Sequence, residues 1–180
     1  ISWLSNHQLT YEESDNEYRD KFNHSIQKQI NHLLNEVKHS NEVKNKMIGC
    51  AAIILTGLAY HDNKNYLSHV LNLLKKIIKS AIDNQGFPKS RSIKQLIFYL
   101  KYFIIIREWF KESQNTVPEY VDETIYYLGL NYAFIWQNIN HDILFNGNYI
   151  SNNEEFDQYL KRFGYKFKNE NKELAGYTVL

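Results

Sequence analysis

Apolar side chains recur at three- and four-residue steps through five segments of this chain, and that spacing constrains its fold more than any other feature. Tyr18, Phe22, Ile26, Ile30, Leu33, Leu34 and Val37 form one such stripe, with Ser14 or Asp15 as N-cap and Glu17 in the first turn. A second segment, from about Glu42 to Tyr60, is apolar nearly all round past Lys46, the signature of an inner helix. HDNKN at 61–65 reads as a loop. The third stripe is Tyr66, Val70, Leu73, Leu74, Ile77, Ile78 and Ile82, stopped near Gly86 and Pro88. The fourth runs from about Ser92 to Lys111 through Ile93, Leu96, Ile97, Leu100, Phe103, Ile104 and Trp109. Pro118 opens the fifth, with Val121, Ile125, Leu128, Tyr132 and Ile135 on one face.

Beyond Asn138 the pattern breaks into short apolar pieces separated by Asn and Gly, which predicts turns and short extended segments. Asn146-Gly147 in FNG reads as a turn. A short helix is expected over about Glu154 to Arg162, capped by Asn152 or Asn153 and ended at Gly164. Gly176 to Leu180 has strand character but no obvious partner strand. The expected class is all-α. Short connections make antiparallel α-hairpins, which close into a bundle, stack as a solenoid, or form an arc of an α/α toroid. No repeat at a fixed period is visible, which weakens the solenoid.

Composition narrows the function classes. With 43% hydrophobic and 23% charged residues in 180, the chain is an ordinary globular one, able to bury roughly 70% of its unfolded surface without disulfides. Its one cysteine, Cys50, sits in an apolar run. A net charge of +1 gives no general attraction to nucleic acid or an anionic membrane, and neither is an expected partner. Seven glycines and two prolines are too few to turn a many-stranded sandwich or barrel. The uncharged stretches at 47–61 and 124–141 read as buried or half-buried helices rather than membrane spans. ISWLSNHQ at the start has no signal-peptide pattern. A chain that begins at Ile1 and holds its single Met at 47 reads as a piece of something longer, so its compartment, periplasm or cytoplasm, stays open.

The candidates for chemistry are few. Seven histidines are scattered at 7, 24, 32, 39, 61, 69 and 141 with no paired ligand spacing, so no metal or cofactor is expected. Glu12/Glu13, Glu119/Asp122 and Glu154/Glu155 look like solvated helix ends. The sequence has neither a phosphate-cradling glycine loop nor a nucleophile elbow. Aromatic residues reach 15%, and Tyr126, Tyr127, Tyr132 and Trp136 share one predicted helix. Such rings suit a hydrophobic core, and equally the face of a sugar. GFPKSRS at 86–92 places Ser90 and Arg91 between two long helices. Arg91 there either meets a ligand carboxylate or pairs with a neighbouring acid, while Ser90 or Ser92 caps the next helix.

Taken in order, these pieces resemble the N-terminal helical half of the heparinase II/III-like family of bacterial polysaccharide lyases. WLSNH resembles the family's opening segment and GCAAIILTGLAY its inner helix. QGFPKSRS sits where relatives carry a DGGHxSRN-like loop. HDILFNG at 141–147 resembles their turn ending in FNG, and AGYTVL at 175–180 the strand that opens their β-domain.

The resemblance implies an incomplete α/α toroid over residues 1–166 and the start of an antiparallel β-sandwich at 167–180, the remainder of which would be a partner domain of the same parent chain. It implies an acidic, uronic-acid polysaccharide as substrate, cleaved by β-elimination. In that reaction a polar or cationic side chain neutralises the uronate carboxylate, and preorganised donors stabilise the enolate-like intermediate. Arg91, Ser90 and Asn146 are the substrate-binding residues it implies. Gln85, Phe87, Pro88 and Ser92 depart from the family loop, whereas Gly86, Ser90 and Arg91 match it. No proton-abstracting residue carries over. The alternatives are a non-catalytic glycan-binding or scaffold domain of the same fold, or an unrelated helical interaction module.

Overall fold

A computed structural model describes residues 12, 14–60, 64–138, 143–145, 148–150, 154–171, 173–174 and 177–178. The fold is predominantly helical. Among the described residues six helices succeed one another: α1 (Asn16–His39), α2 (Val43–Ala59), α3 (Lys64–Ala81), α4 (Ile93–Glu112), α5 (Glu119–Asn138) and α6 (Glu154–Arg162). None is long and apolar enough to cross a membrane. The chain divides into two compact units, residues 1–77 with 106–116, and residues 78–105 with 117–180. The helices α3 and α4 each carry the backbone from one unit into the other.

In the first unit, Asp15 caps α1 by accepting a 2.8 Å hydrogen bond from Tyr18 N–H, satisfying an amide that has no partner within the helix. Phe22, Ile26, Ile30 and Val37 bury the predicted stripe, whereas Tyr18 at its edge stays exposed. The α1–α2 hairpin is antiparallel, because its contacts pair late residues with early ones. Val37 near the end of α1 touches Gly49 early in α2, and the Tyr60 hydroxyl just past α2 donates to Asn23 Oδ1 at 3.1 Å, early in α1. Past Lys46, helix α2 is buried on most of its circumference, as the uncharged run from Met47 predicts, and the one hydroxyl deep within it, Thr56, donates to Ala52 O at 2.9 Å. HDNKN is shorter as a connection than its polarity suggests, since Lys64 and Asn65 already belong to α3. Tyr66 at the start of α3 meets Gln27 and Asn31 on α1 through its hydroxyl.

Cys50 is fully buried in α2, and burial pushes its thiol up to about 12, only partly opposed by the positive field of Lys46. Thiolate is the reactive form, so the folded protein should resist thiol reagents at pH 8 and label at the free-cysteine rate only after denaturation. The neutral thiol is the form the fold favours. Its contribution is therefore complete below pH 9 and is lost as pH rises towards 12. A burst of one-equivalent labelling under native conditions would contradict this placement.

In the second unit, α4 and α5 supply the core through Ile93, Leu96, Leu100, Phe103 and Ile104 on one and Val121, Ile125, Leu128 and Phe134 on the other. Helix α6 joins them through Tyr132, whose ring meets Phe156 edge-on at 5.1 Å and whose hydroxyl donates to Asp157 Oδ1 at 2.6 Å. Tyr159 on α6 donates to Lys101 O of α4 at 2.9 Å. The helix ends at Gly164 with φ +73°, as its sequence predicts. The following segment is strapped to α5: Asn169 Nδ2 donates to Leu130 O at 3.0 Å, and the Phe167 ring lies where a Cβ on Gly129 would sit.

The extended pieces pair. β1 (Ile143–Phe145) runs antiparallel to β2 (Asn148–Ile150), with Phe145 opposite Asn148. The strand expected near the end of the chain does have a partner: β4 (Tyr177–Thr178) pairs antiparallel with β3 (Glu173–Leu174). A two-residue strand is too short to show alternation, which is why it leaves no trace in the sequence.

Candidate functional site

The link between α3 and α4, residues 82–92, is the most organised irregular segment of the second unit. Asp83 builds it. Its Oδ1 accepts from Gln85 N–H and Phe87 N–H, both at 2.9 Å, its own N–H donates to Phe87 O at 2.8 Å, and its carbonyl accepts from Gly86 N–H at 3.0 Å. This is an Asx turn extended by one residue, closed by Gly86 at φ +76°. Phe87 and Pro88 fold inward and are buried, and Ile82 bridges to Pro88 beyond the last turn of α3. Asn131 of α5 clasps the loop from behind by donating from Nδ2 to Gln85 O at 2.8 Å, while also bonding Tyr127 O.

Ser90 and Arg91 both lie on this loop, ahead of α4. Arg91 has a left-handed backbone, φ +58°, fixed by its N–H donating to Pro88 O at 2.8 Å. Its Nη1 lies 2.8 Å from Asp83 Oδ2, off the N–H direction, so the contact is an ion pair rather than an aligned hydrogen bond. The guanidinium also rests 5.5 Å from the centroid of the Phe87 ring. Ser90 donates to Gln95 Oε1 at 2.7 Å and accepts from Ser92 N–H, while Ser92 Oγ accepts from Gln95 N–H at 3.4 Å at the start of α4. The neighbouring-acid and capping alternatives therefore both describe contacts that are present. Asn146, the third predicted contact, lies outside the described residues.

A cleft of about 220 Å³ opens beside the loop, lined by Asp83, Asn84 and Gly86 from the loop and by Tyr120, Glu123 and Tyr127 from α5. It is smaller than the roughly 300–1,000 Å³ of a drug-sized site, room for one ring of a longer ligand. Tyr127 is 41% exposed and Tyr126 57%, their rings edge to face at 5.4 Å. Two tyrosine rings, an amide and two carboxylates give this surface both flat apolar faces and hydrogen-bonding groups.

Sequence reasoning missed Asp83 and Glu123. Asp83-Asn84 ahead of a glycine is a turn signal that marks Asp83 as an organiser. Nothing local marks Glu123, which reaches the cleft only because α5 packs beneath the loop. Burial raises the phenols of Tyr99 and Tyr102 above their usual range, so neither is primed as a phenolate base. Among the described residues no cluster of His, Cys, Asp and Glu is placed to hold a metal ion. No known protein family, characterised protein or solved structure matches the chain.

Proposed function

We propose that this chain is the helical, glycan-cradling part of a heparinase II/III-like protein, an arc of an incomplete α/α toroid whose parent chain continues into a β-sandwich. In that parent, uronic-acid polysaccharides are cleaved by β-elimination, and this part supplies binding rather than proton transfer. The observation that carries the reading is the Asp83-built loop, which presents Arg91 and Ser90 between two long helices next to a tyrosine-lined cleft. The loop matches the family's at Gly86, Ser90 and Arg91, and a guanidinium is the side chain suited to holding a planar carboxylate. Pro88 stands where the family loop carries a His and has no group that can move a proton, so this reading assigns the base and acid to the rest of the parent chain.

A specific contact favours a second reading, a glycan-binding or scaffold domain that kept the fold without the chemistry. Asp83 already neutralises Arg91, and a uronate must displace or share that partner. One assay separates the two: incubate the full-length parent with a panel of uronans and follow the absorbance of unsaturated uronate ends. Cleavage, with kcat/KM lowered roughly 10- to 100-fold by Arg91→Ala, is the expected result. Binding without cleavage would establish the second reading. Uronan binding and cleavage both untouched by Arg91→Ala would remove Arg91 from the site.

A further inference from the structure

A larger cleft in the second unit, about 490 Å³, lies between the end of α5, the outer face of α6 and the segment that follows it. Trp136 and Tyr132 line one wall with their rings stacked, centroids 6.1 Å apart and planes within 10°. Tyr132 is buried and locked to Asp157 by its hydroxyl, so Trp136 rests on a fixed support and keeps an accessible part. Lys161 and Lys166 line the cleft and are exposed, and neither has an ion-pair partner among the described residues. Among the described residues that line it the one carboxylate is Asp157, which has an oxygen engaged by Tyr132, so these residues give the cleft a net positive charge. Gly164 keeps its rim open: a Cβ there would meet nothing within 4 Å.

We infer that this cleft is a second sugar subsite, selective for a ring bearing a negative group, carboxylate or sulfate. The indole provides a stacking face, Asp157 accepts from ring hydroxyls, and the two lysines hold the anion. An uncharged sugar would leave both ammonium groups without a counterion. The charge balance also distinguishes this cleft from the one beside Arg91, whose described lining residues include Asp83 and Glu123 and no cation. An acidic polymer is therefore gripped by its charge at the Trp136 cleft, while the tyrosine cleft takes a ring by stacking and hydroxyl contacts. This subsite rests on the glycan-cradling reading and adds to it a second place where the acidic polymer is held and the residues that hold it.

The test is calorimetric titration of the protein with three probes: an oligogalacturonate, its methyl ester, and a sulfated galactan oligosaccharide. The oligogalacturonate or the sulfated probe should bind at least roughly tenfold more tightly than the methyl ester, the scale of two charge-assisted contacts. Lys161→Gln with Lys166→Gln, both exposed and safe for folding, should cut that preference several-fold, leaving only the share that Arg91 holds. Trp136→Ala should weaken all binding, and Trp136→Phe should restore most of it. Binding of the acidic probes that survives the lysine and Trp136 changes but is lost in Tyr127→Ala would overturn this subsite and leave the glycan-cradling reading standing. Equal affinity for the methyl ester would overturn its charge selectivity. Failure of all three probes to bind the unaltered protein would overturn both readings.

Discussion

Replacing Gly86 by alanine is expected to lower folding stability by about 2–4 kcal/mol, among the largest single-residue effects this chain should show. Two penalties add. The backbone at Gly86 sits at φ +76°, where a Cβ strains against the following peptide. The same Cβ would also enter Tyr127, against its Cβ and 3.1 and 3.2 Å from its carbonyl carbon and Cα. Those atoms belong to the body of α5 and cannot swing aside as a side-chain tip would. Urea denaturation should show the midpoint falling with the slope unchanged. Gly86→Asn separates the penalties, because Asn tolerates the left-handed region and should recover only the torsional part, about 1 kcal/mol. A loss under about 0.5 kcal/mol for alanine would mean the loop is not held on α5 as described.

How much of this could be read beforehand depends on how local each cause is. The buried faces of α1 and α5 follow their stripes because periodicity reports which side of a helix meets apolar neighbours: Phe22, Ile26, Ile30 and Val37, then Val121, Ile125, Leu128, Tyr132 and Ile135. Ile82 shows where that signal stops. It continues the α3 stripe and is buried, yet it lies past the helix, bridged to Pro88, because Asp83 ends the helix with its own turn. Periodicity names a face but not the neighbour that covers it. The fit of Phe167 over Gly129 and the bond from Asn169 to Leu130 join segments far apart in sequence and leave no local mark. The same limit applies to the site. Ser90 and Arg91 stand out in a loop between helices, but the acid that Arg91 pairs with and the tyrosines beside the loop are fixed by how the chain returns.

Asp83 tests whether the loop or its ion pair matters more, through two substitutions that differ in one property. Asp83→Ala removes the acceptor for Gln85 N–H and Phe87 N–H along with the charge facing Arg91. Phe87 is fully buried, so its amide has little water to turn to, and a loss of about 2–4 kcal/mol is expected. Asp83→Asn keeps an oxygen that can accept both amides and removes only the charge. The Arg91 and Asp83 side chains are 37% and 21% exposed, so solvent screens the pair and its loss should cost under about 1 kcal/mol. Binding should move the other way. On the proposed reading Asp83 and a uronate carboxylate compete for one guanidinium, and Arg91 keeps its left-handed backbone through Pro88 whichever acid it meets. Asp83→Asn should therefore tighten uronan binding several-fold, roughly 3- to 10-fold, and leave neutral glycans unaffected. Unchanged uronan affinity in the stably folded Asn variant would assign Arg91 to the architecture of the loop alone, as the partner that holds Asp83 in place over two backbone amides.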